Sequence, residues 1–307
     1  MSAADETTGG HAGRVLIVGD VITDVVAALG GPPATGSDTA ATIRFTGGGQ
    51  AANTACWLAA QGLPVTLVGA VGDDAAGRER LAELAAAGVD CAVERVAGCA
   101  TGTVIVLAVG EERTMLTERG ANLRLRPGHI DAALADAPEA VHLHLSGYTL
   151  LDAGSRPAGL RALAVARERG LTTSVDAASA APLRAVGAAA FLSWVREVDL
   201  LLVNQDEAAV LAGGLDAAAQ GRALVASARR VVVKRGAAGA TWVDRDGTVA
   251  VAAAHRVAAV DVTGAGDAFA AGLLGAWLAG AQPDAALRRG ADLGAAAVSQ
   301  LGARPAR

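Results

Sequence analysis

The chain has 307 residues, of which 52% are hydrophobic and 19% charged, and its formal net charge at pH 7 is −5. That apolar content can fill a sizeable core, which excludes a mainly disordered chain, and the length fits one large domain. The acidic balance, without a cluster of Lys and Arg, excludes nucleic acid as an expected partner.

The longest apolar run, Ala268–Ala281, is mostly Ala, Gly and Leu. It is shorter than the roughly 20 residues that span a membrane, so it predicts a buried helix and no membrane attachment. Residues 1–13 are small, polar and acidic, and Cys56, Cys91 and Cys99 have spacings that match no metal motif. We therefore expect a flexible leader over 1–13, reduced thiols and a cytoplasmic location.

Short apolar runs alternate with Ala-rich helical segments along the chain. The predicted strands are 14–18, 65–68, 141–145, 172–175, 200–203 and 231–233, and the predicted helices are 53–61, 78–87, 161–169 and a segment starting at 207. This alternation predicts an α/β domain over 14–307, with a doubly wound, mostly parallel sheet flanked by helices. Polar residues follow several strands, at the edge where open α/β sheets bind ligands.

Two stretches, about 36–46 and 92–118, lack this alternation. Within the second, 103–109 and 113–117 flank Glu111-Glu112 and predict a hairpin. Inserted β segments of this kind can form a small β-sheet that acts as a lid over a site, or they can be a plain surface hairpin. An exposed lid sheet can also pair with a second copy, which favours a homodimer.

The sharpest motif is Asp261-Val262-Thr263-Gly264-Ala265-Gly266-Asp267, which precedes a helix running through Leu274. Gly264 and Gly266 let successive backbone N–H groups converge at a helix N-terminus, where the dipole favours an anion. Asp267 falls in the first turn of that helix. A carboxylate there is either an ordinary partner of the dipole or the base of a phosphoryl transfer, accepting the proton of an attacking hydroxyl.

A second glycine cluster, Gly47-Gly48-Gly49, leads into a helix whose first turn carries Asn53. Glycine permits close approach of the backbone, and Asn offers a hydroxyl both a donor and an acceptor. The same pattern is typical of a glycine-rich loop with an Asn cap. The residues alone leave both interpretations open.

Together these motifs resemble the ribokinase family of carbohydrate kinases, also called the phosphofructokinase B family. Asp261–Phe269 looks like its second signature, and Gly48–Asn53 looks like its amino-terminal signature. The similarity runs from about Val15 to Gly302, and further landmarks of the family follow in chain order: Gly19–Asp24, Val71–Gly77, Gly120–Asn122, Asn204–Glu207 and Lys234–Gly239. The resemblance implies a kinase that uses ATP and Mg²⁺, with K⁺ as an activator.

The resemblance also implies a role for each matching residue. For catalysis it implies Asp267 as the base and Gly264, Ala265 and Gly266 as the anion hole. For the acceptor it implies Asp24, Gly48, Gly49 and Asn53. For the nucleotide it implies Asn204, Lys234, Gly236 and Gly239. For the metals it implies Glu207 near Mg²⁺, in part through water, and Asp261 and Thr263 at a monovalent cation.

Several of these residues also have plainer explanations. Glu207 is equally an ordinary acid in the first turn of a helix, and Asp24 is equally a turn cap. Lys234, the single lysine of the chain, is either a solvated charge at a strand end or a flexible point charge beside phosphate.

The sequence predicts an ATP-dependent phosphotransferase that acts on a hydroxymethyl group of a small sugar or sugar-like substrate. One alternative is a nucleoside kinase, for which Phe45 is the candidate to stack on a base. A second is a sugar-phosphate kinase, for which Arg44, Arg113 and Arg119 can supply cations. A third is a catalytically dead sugar-binding protein on the same fold, against which the intact 264–267 motif argues.

Overall fold

A computed structural model describes residues 13–109, 112–214 and 216–306. The predicted leader lies outside the described residues except for Gly13. The strands of the described part are β1 (Arg14–Val18), β2 (Ile22–Leu29), β3 (Ala41–Gly48), β4 (Val65–Gly72), β5 (Asp90–Val96), β6 (Gly102–Val109), β7 (Glu112–Glu118), β8 (Ala140–Ser146), β9 (Thr172–Asp176), β10 (Leu200–Asn204), β11 (Arg230–Lys234), β12 (Ala240–Asp244) and β13 (Val249–Ala252).

The helices are connected to these strands in the predicted alternation. They are α1 (Gln50–Ala59), α2 (Ala75–Ala86), α3 (Pro127–Ala135), α4 (Tyr148–Leu151), α5 (Arg156–Glu168), α6 (Ala180–Val186), α7 (Ala188–Trp194), α8 (Gln205–Ala212), α9 (Ala217–Leu224), α10 (Ala265–Leu278) and α11 (Pro283–Val298), with short 3₁₀ turns at Gly120–Arg124 and Gly236–Ala238.

Nine of the described strands form one large sheet in the order β13-β12-β11-β10-β9-β8-β1-β4-β5. Neighbouring strands from β11 to β5 are parallel, whereas β12 and β13 are antiparallel additions at one edge. The predicted doubly wound, mostly parallel sheet is confirmed. Its parallel strands all end at the same edge, so the polar residues that follow them gather there.

Helices cover both faces of the large sheet. Alternate side chains of β1 enter opposite cores, with Leu16 and Val18 packed in the layer that includes α3 and α5. Val15 and Ile17 enter the other layer, with α1, α10 and α11. Because both faces are buried, the central strands β1, β10 and β11 are nearly continuous apolar runs. The apolar run after Gly266 becomes α10, which packs against both α1 and α11.

A second, smaller sheet has the strand order β3-β2-β6-β7. The predicted hairpin is present as β6 and β7, which pair antiparallel from Thr103↔Glu118 to Val109↔Glu112. Two parts of the prediction were wrong. The start of the stretch 92–118, which we assigned to the small sheet, lies instead in β5 at the edge of the large sheet, because β5 pairs with β4. Ile22–Leu29, which we did not predict, is the central strand of the small sheet.

The apolar composition is accounted for by these buried layers. Among the described residues, none of the helices combines the length and the apolar character needed to cross a bilayer.

Candidate active site

The N-terminus of α10 lies at the centre of the site. Gly264, which precedes the helix, has φ 75°, a left-handed conformation that favours glycine. A Cβ at this position would also lie 2.6 Å from atoms of Ala303. The Ala265 N–H donates to Val262 O at 3.3 Å, so this amide is engaged in the turn. If this turn is the predicted anion hole, its free donors are the amides of Gly266 and the residue after it, in the first turn, where helix N–H groups lack intrahelical partners.

Asp267 and Asn53, which are 214 residues apart in the chain, meet beside this turn. Asn53 Nδ2 donates to Asp267 Oδ2 at 2.9 Å. Desolvation raises the pKa of Asp267 to about 8, and the nearby carboxylates of Asp176 and Asp20 act in the same direction. The hydrogen bond from Asn53 and the charge of Lys234 oppose this shift. A carboxyl group with this pKa can accept and release a proton near neutral pH.

Asp24 lies on strand β2 of the small sheet, and its carboxylate is next to Gly48. Its carboxyl oxygens come within 2.5 Å of where a Cβ at position 48 would lie, so Gly48 leaves the space that the carboxylate occupies. Burial raises the pKa of Asp24 to about 6, and Arg304 opposes the shift. The structure thus brings together the predicted acceptor residues: Asp24, Gly48, Gly49 and Asn53.

Three further side chains lie beside these residues: Asp20 and Tyr148, which were not predicted as site residues, and Arg119, which was predicted only as a cation for a phosphorylated acceptor. Asp20, which is 3% exposed, accepts hydrogen bonds from Ser146 Oγ and from the backbone N–H of Gln50 and Ala51. The Arg119 guanidinium lies over the ring of Tyr148, 4.3 Å from the ring centroid. Burial raises the pKa of Tyr148, and the nearby charges of Asp20 and Asp267 act in the same direction. Asp20 lies two residues after the end of β1, and this position near a strand end was the available indication in the sequence.

On the other side of α10 a cavity of about 470 Å³ has mostly apolar walls. Its polar end contains Asn204, Lys234, Gly236 and Gly239, the predicted nucleotide residues, together with Gly266. The apolar end is formed by α10, α11 and the segment before α10, and it includes Val257, Phe269 and Ala295. A flat apolar base fits the second end and a phosphate chain fits the first.

Lys234 is buried at the polar end of this cavity. Its Nζ forms an ion pair with Asp176 at 2.5 Å, and a Cβ at position 266 would lie 3.6 Å from the same atom. Burial opposes the charge of Lys234, but Asp176 and Glu207 more than compensate and raise its pKa. Lys234 is therefore a charged group beside the anion hole rather than a solvated charge at a strand end. Asp176, which ends β9, was missed as a partner.

Asn204 and Glu207 form a capping box at the start of α8. The Glu207 N–H donates to Asn204 Oδ1 at 2.9 Å, and Glu207 Oε2 accepts from the Asn204 N–H at 2.7 Å. Glu207 is thus a first-turn acid with a capping role. Its carboxylate is 2% exposed, and burial together with Asp176 raises its pKa to about 7.

The donor set here fits Mg²⁺. Asp176, Glu207 and Asn204 supply hard oxygen atoms, and burial raises the pKa of Glu207, so a nearby cation would stabilise its carboxylate. In the described ranges, no three His, Cys, Asp or Glu side chains converge as a metal cage. Mg²⁺ usually keeps several waters and binds one or two carboxylates plus substrate phosphates, which matches this arrangement.

Asp261 and Thr263 form the turn before the anion hole. Asp261 Oδ1 accepts from the Thr263 N–H at 2.9 Å, and its Oδ2 accepts from the Gly302 N–H at 3.1 Å. The carboxylate therefore ties the loop before α10 to the segment that follows α11. The predicted cation loop is adjacent to the anion hole and shares its backbone.

Sequence comparison relates the chain to known proteins. The model of the pfkB family of carbohydrate kinases matches residues 12–307. The chain is 33% identical to an ATP-dependent ribose-1-phosphate kinase from Halopiger xanaduensis, over 95% of this chain and 94% of that protein. It is also 32% identical to a ribokinase from Schizosaccharomyces pombe, over 72% of this chain and 71% of that protein.

Solved structures have the same fold. An adenosine kinase from Sinorhizobium meliloti superposes with a TM-score of 0.85 at 23% identity, covering 96% of both chains. A putative ribokinase II from E. coli in complex with ATP and Mg²⁺ superposes with a TM-score of 0.83 at 23% identity, covering 95% of this chain and 94% of that one.

Proposed function

The chain belongs to the pfkB family of carbohydrate kinases, and on that premise we propose that it transfers the γ-phosphoryl group of ATP to a hydroxymethyl group of a small sugar-like acceptor. The observation that carries this proposal is the hydrogen bond from Asn53 to Asp267 at 2.9 Å. It connects a residue of the acceptor cleft with the carboxylate at the anion hole, where the two substrates would meet.

In the proposed reaction Asp267 accepts the proton of the attacking hydroxyl. Asp24 and the Asn53 amide hold other hydroxyls and direct one of them towards the phosphoryl group. The amides at Gly266 and beyond, with Lys234, stabilise the charge on the transferred group. Asn204, Glu207 and Asp176 would hold Mg²⁺, which neutralises phosphate charge when it is bound.

The proposal is tested by an ATP-consumption screen over acceptors that the names of similar proteins suggest. These are ribose, deoxyribose, fructose, 2-dehydro-3-deoxygluconate, ribose 1-phosphate and adenosine. We expect ATP loss that depends on one acceptor class, with a phosphorylated product identified by mass spectrometry. Acceptor binding without ATP loss, for every compound bound, would instead support a catalytically dead binding protein.

A phosphorylated sugar is a second candidate acceptor, and Arg119 favours it. The guanidinium is 14% exposed, and its nearest carboxylates, Asp20 and Asp152, are 3.6 and 3.7 Å away, beyond good hydrogen-bond distance. A cation held mainly by stacking on Tyr148 keeps donors for an anionic substituent. Of the other predicted cations, Arg44 is exposed on β3, and the side chain of Arg113 lies outside the described part. Comparing ATP consumption with ribose and with ribose 1-phosphate distinguishes a free sugar from a phosphorylated sugar as the acceptor.

Phe45, the candidate for stacking on a base in a nucleoside kinase, does not face the acceptor residues. Val25 pairs with Phe45 across β2 and β3, whereas Asp24 pairs with Thr46. Because successive side chains of a strand point to opposite faces, Phe45 lies on the face of the small sheet opposite Asp24. Phe45 is also 67% exposed. A base would have to stack on Tyr148 instead, one face of which is covered by Arg119.

If Asp267 is the base, the reaction should depend on pH with a defined sign. The raised pKa of about 8 means that the proton-accepting form is lost as the pH falls below 8. We expect kcat/KM for the acceptor, which at saturating MgATP reports the enzyme–MgATP complex before the acceptor binds, to decrease by up to about tenfold per pH unit below that value. The measurement is a pH series from 6 to 9 at saturating MgATP. A flat profile would contradict Asp267 as the titrating base.

We also propose K⁺ as an activator bound at Asp261 and Thr263. The loop shares its backbone with the anion hole, so an ion that orders it would order the catalytic amides. We expect a higher kcat in K⁺ than in Na⁺ at equal ionic strength, and an Asp261→Ala variant that no longer distinguishes the two salts. Equal native rates in both salts would remove the basis for this site.

The small sheet is proposed as a lid and as a dimer contact. On its face opposite Asp24, the register aligns Phe45, Val25, Ile105 and Leu116 in one row across four strands. Phe45 and Leu116 are 67% and 54% exposed. An exposed apolar row of this kind is typical of an interaction surface. The proposed partner for this row is the equivalent sheet of a second copy of the chain.

A further inference from the structure

The segment 300–306, which follows α11, is held by one hydrogen bond to α1 and by another within the segment itself. Trp57 Nε1 donates to Ala303 O at 2.9 Å, and Gln300 Nε2 donates to Arg304 O at 2.7 Å. Ala303 also fills the space in front of Gly264. These contacts place the next side chain, that of Arg304, underneath the acceptor cleft.

The Arg304 guanidinium, 14% exposed, has three acceptors around it. Nε donates to Asn53 Oδ1 at 3.2 Å, Nη1 to Glu83 Oε2 at 3.2 Å and Nη2 to Gly48 O at 3.1 Å. Two of these acceptors belong to the acceptor cleft, and the third, Glu83, lies on α2 outside it. A planar group with donors in a fixed fork is suited to hold such a set in one geometry.

The contact with Asn53 determines which end of its amide faces the cleft. Oδ1 accepts from Arg304, so Nδ2 is directed to the other side, where one N–H donates to Asp267. The second N–H of the same group remains for an acceptor hydroxyl. Arg304 thereby makes Asn53 a donor towards both the base and the acceptor.

We propose that Arg304 is a positioning residue, which fixes the Asn53 amide so that the acceptor hydroxyl and Asp267 stay aligned through each turnover. The role rests on the phosphotransfer proposed above. Asp267 changes its protonation state during that reaction and therefore cannot hold the amide by itself. The guanidinium does not lose its proton, so its hold on Oδ1 is constant.

The test is a double-mutant cycle with Arg304→Ala and Asn53→Ala, measured on the screened acceptor that the native protein turns over fastest. Small misplacements of reacting groups cost roughly 10²-fold, so Arg304→Ala should lower kcat by about 10- to 100-fold. Its KM for ATP should stay near native. In the Asn53→Ala background, the same change should alter kcat by less than about twofold, because the residue it positions is absent.

Two further variants separate positioning from anchoring of the segment. Trp57→Phe removes the hydrogen bond to Ala303 O but leaves Arg304 in place, and we expect near-native kcat. Arg304→Lys keeps the charge and can replace one of the three donations, so it should recover part of the lost kcat.

Effects of Arg304→Ala and Asn53→Ala that multiply independently would overturn the proposal, as would native kcat in the Arg304→Ala variant. A loss in Trp57→Phe equal to that in Arg304→Ala would assign the effect to anchoring and overturn it too. An absence of turnover by the native protein with every screened acceptor is a different result. It would refute the proposed function itself, and with it the positioning role.

Discussion

Replacing Asp267 with Asn should lower kcat by roughly 10²–10⁴-fold, the usual contribution of a general base, while acceptor binding changes little. Asn keeps the size of the side chain and can hydrogen-bond, but it cannot take a proton at neutral pH. We expect no loss of folding stability, because the raised pKa of about 8 shows that the folded protein disfavours the charged carboxylate at pH 7. Steady-state rates, acceptor calorimetry and thermal unfolding measure the three quantities.

The control for this variant is Asp284→Asn. Asp284 also lies in the first turn of a helix, α11, but it is exposed and paired with Arg288 at 2.6 Å. If the importance of Asp267 came only from the helix dipole, the two substitutions would have similar, small effects. Near-native kcat in Asp267→Asn would reject this residue as the base.

Asp24→Ala should weaken acceptor binding by about 10- to 150-fold, because a hydrogen bond to a charged group contributes roughly 1.5–3 kcal/mol. The affinity for a non-hydrolysable ATP analogue should remain near native, since Asp24 lies on β2 and the nucleotide cavity is lined by other elements. Paired calorimetric titrations of acceptor and nucleotide into native and variant protein provide the comparison.

Asp24→Asn is the matched variant for the charge. It preserves the fit against Gly48, so a smaller loss than in Asp24→Ala would separate hydrogen bonding from charge. A variant that binds nucleotide more weakly and acceptor normally would show that the two halves of the site are assigned the wrong way round.

Much of the large sheet was predictable from sequence because its central parallel strands, such as β1, β10 and β11, are buried on both faces. Runs such as Val231–Val233 have no competing interpretation as an amphipathic helix. The small sheet was harder to predict, since its strands have one covered and one open face and mixed composition. Ile22–Leu29 was missed for this reason, and Asp90–Val96 was misassigned because it is an edge strand with exposed charges.

The candidate site was predictable wherever glycine and a polar residue share one turn, as at 47–53 and 261–267. Pairings across long distances in sequence were not predictable. Asp176 gives no indication in sequence that Lys234 is its partner, and nothing near Arg304 indicates that it contacts Asn53. Such contacts depend on how the elements are stacked, which local pattern does not encode.

The contacts between Asn53 and Arg304 and between Trp57 and Ala303 join residues 251 and 246 positions apart. Contacts that close loops of that length form more slowly than local contacts. The chain loses the conformational entropy of the loop before the stabilising contact is made. A chain that has formed its central strands but not docked its segment 300–306 would have native-like secondary structure and no oriented amide beside Asp267. We therefore expect catalysis to recover after denaturation more slowly than the circular dichroism signal of the sheet and helices.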